Sequence, residues 1–160
     1  MSASMETWNR PGDALRAIVA GGLAAGTFDL CAATLAYTSP SFGPQRLFQY
    51  IAAGWLGRAA EQGGNTSAAL GIVSHYGILL VAAALFYAAS RHLADLRRRF
   101  WLYGPLYGIA IYVVMSFVVV PLSALPYPRH YSLSSVALGV FIHMLCVGTP
   151  IAYAVRRFAP

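Results

Sequence analysis

The chain has no lysine, only five acidic residues and only two cysteines in 160 positions. Each shortage excludes something. With 10% of its residues charged, against roughly a quarter in an ordinary soluble domain, it cannot face water over its whole surface. Cys31 and Cys146 both fall inside apolar runs and form no CxxC pair, so a disulfide framework is not indicated and both read as small packing residues. There is no HExxH, no phosphate-cradling glycine loop and no serine, histidine, aspartate order; the common hydrolase and nucleotide-binding templates are therefore missing. Residues 1–13 carry Glu6, Arg10 and Asp13 without an apolar core, so no removable signal peptide is expected. All eleven basic residues are Arg, which fits GC-rich coding. They stand at the ends of apolar runs rather than in an aromatic-interleaved patch, so no nucleic-acid partner is expected.

What is abundant is apolar sequence. Hydrophobic residues make up 58% of the chain and gather into four blocks, about 14–37, 67–90, 102–125 and 132–155. Each block is long enough, at 1.5 Å per residue, to cross a hydrocarbon core of roughly 30 Å with some tilt. Lipid offers no partner to a free N–H or C=O group, so the blocks must be helices. The expected fold is an all-α membrane four-helix bundle, a single integral domain over residues 1–160 in contact with membrane lipids. Small-residue faces on its helices leave room for a homo-oligomer or a membrane-complex partner.

The segment 38–66 is the longest outside the blocks. Pro40, Gly43 and Pro44 interrupt the chain, and Phe48, Ile51, Ala52, Trp55 and Ala59 then recur at helical spacing, with Gln45, Arg46, Gln49 and Arg58 mostly on other sides. The pattern predicts a short helix over about 44–60, lying in the outer interface and anchored by Trp55. Orientation follows from arginine. Arg10, Arg16, Arg91, Arg97, Arg98, Arg99, Arg156 and Arg157 fall on one side of the spans and Arg46, Arg58 and Arg129 on the other, which puts both termini in the cytoplasm.

The second and fourth blocks match each other. Ser67-Ala-Ala-Leu-Gly-Ile-Val-Ser-His75 aligns without a gap to Ser135-Val-Ala-Leu-Gly-Val-Phe-Ile-His143, five of nine positions being identical. In the preceding blocks Gly22 and Gly26 echo Gly104 and Gly108. Two helical hairpins in parallel repeat, related by an axis along the membrane normal, are the expected consequence.

Asp29 is the only acidic residue inside a block, and such a group costs several kcal/mol unless paired, hydrated or neutral. It lies roughly 12 Å below the outer end of its span, the same depth as His75 and His143 on theirs, with Ser116 level on the third span. These four residues form the expected intramembrane polar layer. A histidine there can simply tie helices through a hydrogen bond, can handle protons beside Asp29, or can ligate a metal or haem with its counterpart, His75 and His143 being the candidates. His92 and His130, beside Arg91 and Arg129, belong at headgroup level. Pro121 and Pro150 lie inside spans and should free carbonyls, with Ser123 and Thr149 placed to satisfy them.

Phe48-Gln-Tyr-Ile-Ala-Ala-Gly-Trp-Leu-Gly-Arg-Ala59, Ala69-Leu-Gly with His75, Tyr107-Gly108 with Met115, and Val119-Val-Pro-Leu-Ser123 together resemble a group of small bacterial four-helix inner-membrane proteins, distantly similar to the YagU-like family. The resemblance implies bacterial inner-membrane placement and carries no activity, substrate or cofactor. Three functions follow from the residues: a structural, accessory or stress-related membrane protein; a proton- or ion-coupled transporter or channel subunit using the Asp/His layer; and a bis-His haem or metal redox protein. Enzymatic activity is not the expected one.

Overall fold

The computed structural model describes residues 11–127 and 131–159. Arg10, Arg129 and His130 lie outside the described residues. Among the described residues six α-helical segments follow in order, α1 (Pro11–Tyr37), α2 (Pro44–Leu56), α3 (Gly64–His92), α4 (Asp95–Arg98), α5 (Phe100–Leu122) and α6 (Leu133–Phe158), with a 3-10 helix, Gly57–Gln62, between α2 and α3. There is no strand among the described residues, only an isolated bridge between Ser39 and Phe42. Helices α1, α3, α5 and α6 are each long and apolar enough to cross a bilayer, and the chain is a multi-pass membrane protein built on all-α architecture. Their outward faces carry large apolar side chains such as Leu35, Val73, Leu85, Trp101 and Leu122, as contact with lipid requires.

Local chemistry sets the helix ends. Pro44 opens α2 at a position whose N–H would have no helical partner, and Gly57, at φ +57°, closes it in the left-handed region. Ser132 and Ser135 cap α6 reciprocally. The third span stops at Leu122, short of the expected 125. Ser123 is extended there, its hydroxyl donates to the Val120 carbonyl, and the Ala124 amide turns away to donate to Gly54 of α2 at 2.9 Å.

Glycine decides which helices touch. A Cβ on Gly22 would lie 2.7 Å from Leu80 Cδ2, and one on Gly26 2.6 Å from Tyr76 Cδ1, so α1 and α3 meet at those two places. Gly104 and Gly108 bring α5 onto α6 in the same way, against Gly148 and Met144. Gly21 lets α1 sit on Ile151 and Ala154 of α6, and Ala17, Ala25, Val147, Ile151 and Val155 form the fully buried core between them. The remaining seam, α3 against α5, stays open. Tyr107 and Phe86 fill it with tilted rings 4.9 Å apart, the Tyr107 hydroxyl donates to the Ala82 carbonyl, and an apolar groove of about 670 Å³ runs along it, lined by Ile78, Val81, Leu85, Ile111 and Val114 among others.

Helix α2 packs on the N-terminal part of α3, where Gly71 admits the Phe48 carbonyl oxygen into direct contact. Its buried residues are Leu47, Gln49, Ala52 and Ala53, so of the apolar stripe Phe48, Ile51, Ala52 and Trp55 only Ala52 is buried against the bundle. Gln49 turns inward because its amide donates to the Gly64 carbonyl at 3.1 Å, while Trp55 is 68% exposed.

Candidate functional site

Asp29 projects from the C-terminal half of α1 and is buried, 8% exposed. Its Oδ2 approaches His75 Nε2 of α3 at 3.8 Å, too far for a hydrogen bond. Its Oδ1 is sealed from solvent and accepts no hydrogen bond from any described residue. His75 is committed elsewhere. Its Nε2 lies 3.0 Å from the Gly26 carbonyl oxygen; since a carbonyl only accepts, that nitrogen carries a proton and donates. Tyr76, against Gly26, presents its ring edge-on to the imidazole at 5.8 Å and shares a 3.0 Å hydrogen bond with Thr27.

The opposite wall comes from α5 and α6. Tyr112 is buried, its ring lodged against Gly139, where a Cβ would lie 2.5 Å from Tyr112 Cε2. The same ring meets His143 at 5.3 Å, nearly perpendicular. His143 Nδ1 donates to the Gly139 carbonyl at 2.8 Å, which leaves Nε2 as the acceptor of the neutral ring. His75 and His143, aligned in sequence, thus use their rings differently, one across to the neighbouring helix and one back along its own.

Two widened turns flank this wall. Met115–Val119 of α5 and His143–Gly148 of α6 are π-helical, and each precedes a proline, Pro121 or Pro150. A proline removes a donor and crowds the preceding turn; the extra residue in a π turn relieves the crowding. Near Pro121, Tyr131 donates to the Ser116 carbonyl at 2.8 Å. Near Pro150, the Thr149 hydroxyl donates to the Met144 carbonyl at 2.7 Å, which also accepts the Thr149 amide. Tyr131 carried no signal beyond its type.

Between these walls lies a cavity of about 410 Å³. Asp29, Ser116 and His143 line it, together with Tyr37, Phe42, Tyr50, Tyr112, Leu79 and Val147 among others. His75 does not line it. A second cavity of about 440 Å³, lined by Arg46, Gln49, Glu61 and Tyr127, shares Phe42 and Tyr50 with the first. Tyr50 is held there by a stack on Tyr127 at 6.0 Å.

Among the described residues no three His, Cys, Asp or Glu side chains converge as metal ligands. Bis-imidazole ligation of a metal or haem needs both rings at one space, whereas only His143 lines the cavity and the His75 Nε2 proton is held by Gly26. Comparison with protein-family models, with curated proteins and with solved structures finds no match.

Proposed function

We propose that the chain is an inner-membrane protein that takes protons or cations from the outer side into a cavity ending on Asp29, as a proton- or ion-coupled transporter or channel subunit does. One observation carries the reading. Asp29, the acidic residue in the interior of a span, is buried beside a cavity with one oxygen unpartnered among the described residues. A residue kept to tie helices together would have its hydrogen bonds made, because an unsatisfied buried polar group costs about 1–3 kcal/mol. Here that tie is made by His75 and Gly26, and the carboxyl is left over for an occupant. The adjoining outer cavity supplies a route. Orientation rests on arginine: Arg16, Arg91, Arg97, Arg98, Arg99, Arg156 and Arg157 gather at one end of the spans and Arg46 and Arg58 at the other, so the vestibule faces outward and the termini inward.

Descent of the two hairpins from one duplicated unit belongs to this reading. Its support is a correspondence of contacts. In the register that aligns His75 with His143, Tyr76 and Leu80 match Met144 and Gly148, and the glycines facing them, Gly26 and Gly22, match Gly108 and Gly104. Ala25, at the tight seam between α1 and α6, corresponds to Tyr107 at the open seam; the larger side chain accounts for the unequal spacing.

The test is accessibility. In a Cys31→Ser, Cys146→Ser background, Ser116→Cys should react with a membrane-impermeant methanethiosulfonate added to the outer side of intact cells, and Val113→Cys, on the lipid side, should not. Failure of Ser116→Cys to react at all would remove the outward cavity.

A further inference from the structure

The cavity at Asp29 has a composition that water or a bare proton does not need. We propose that it binds an organic cation, a substituted ammonium carrying an aromatic or alkyl group, with Asp29 as counter-ion. The inference rests on the outward cavity proposed above and names what it takes.

The chemistry comes from three observations. The first is charge: one carboxyl, and no Arg or Lys, lines the space, and His143, the basic side chain there, turns its Nδ1 to the Gly139 carbonyl. The second is the walls. Tyr37, Phe42, Tyr50 and Tyr112 contribute four rings, and the face of an aromatic ring attracts a cation, more strongly where water is scarce. A metal ion would want several oxygen ligands at short range, and the space offers one carboxylate among mostly apolar walls. The third is size and fixity. A volume of about 410 Å³ lies within the range for small-molecule sites and far exceeds a hydrated proton. Two of the rings are held in place, Tyr112 against Gly139 and His143 and Tyr50 on Tyr127. Phe42 is fixed by the paired backbone bonds between its own residue and Ser39, 2.9 and 3.0 Å. Preorganised walls of this kind spare the ordering cost of binding. Arg46 and Glu61 line the outer cavity together, so its formal charges balance.

The full chain, purified in detergent micelles, is titrated with benzyltrimethylammonium by calorimetry, and neopentylbenzene serves as the neutral isostere. Saturable binding of the cation is expected, with at least tenfold weaker competition by the neutral compound. Asp29→Asn should weaken binding at least tenfold and Tyr112→Leu several-fold, while Tyr153→Leu, on the exposed face of α6, should leave it unchanged. Helix content and melting temperature confirm that each variant is folded; should Tyr112→Leu unfold, Phe42→Leu takes its place. The cation should also protect Ser116→Cys from the impermeant reagent. No saturable binding, equal binding of the neutral isostere, or full binding in folded Asp29→Asn overturns the proposal. If Ser116→Cys is labelled and no cation binds, the cavity stands and the substrate class falls; if Ser116→Cys is never labelled, the outward cavity falls first.

Discussion

Asp29 and His75 face each other at 3.8 Å without sharing a hydrogen bond, because the imidazole proton on that side is given to the Gly26 carbonyl. His75 thereby joins α3 to α1 while standing beside the carboxyl. His75→Ala should destabilise the bundle by about 1–3 kcal/mol, the cost of unmaking a buried polar contact. His75→Gln, which keeps an N–H donor at similar reach, should recover part of the loss. Thermal unfolding in a fixed detergent measures both, and equal stability of His75→Ala and wild type would contradict the assignment.

Glycines in the same protein should respond in opposite ways to alanine. At Gly108 the new methyl would meet the backbone of His143 and Met144, which cannot move aside as a flexible side chain can. Gly108→Ala should cost about 1–3 kcal/mol, as overpacking does. Gly77 has open space around it, so Gly77→Ala should be neutral or stabilising by up to about 1 kcal/mol through helix propensity. Melting temperatures of the two variants should move in different directions.

The open seam gives a third expectation. Tyr107→Phe removes the hydroxyl that reaches Ala82 across the groove while keeping the ring against Phe86. A loss of about 0.5–1.5 kcal/mol is expected. Cross-linking between cysteines placed at Leu85 and Leu106 should report any widening of the seam.

Topology is checked with reporters. An enzyme active only outside the cytoplasm should be silent when fused after Pro160 and active when inserted near Gly64, in the outer segment before α3. Activity at the first site from a stable fusion would reverse the arginine argument.

Much of the architecture was legible because lipid leaves little choice: four long apolar blocks predict four helices, and Asp29, the acidic residue in the interior of a span, identifies itself. Position along each helix was countable, since rise per residue is nearly fixed. Direction was not. Counting along α3 and α6 puts His75 and His143 level, yet the rings use different nitrogens and different carbonyls, a matter of side-chain rotation that spacing does not determine. Gln49 was legible only as lying off the apolar stripe of α2, and the nearby Gly64 carbonyl explains its burial. The aromatic lining of the cavity was hidden because Tyr37, Phe42, Tyr50 and Tyr112 are distant in sequence. The unequal seams depend on Tyr107 standing where the other hairpin has Ala25, a contrast visible only once contacts set the register.

The two π turns give these spans an unusual kind of slack. Each contains one amino acid more than an α-helix of the same shape would hold. Losing a single codon from either would let the helix close into regular geometry with its two halves still facing as before, whereas the same loss from a regular stretch would turn the halves by about 100° relative to each other. In α6 a deletion between Gly139 and His143 would swing Gly139 away from Tyr112 while Gly148 stayed locked to Gly104 and Gly108. A deletion too small to shorten the membrane crossing would therefore dismantle one wall of the cavity or spare it according to whether it falls outside or inside the widened turn.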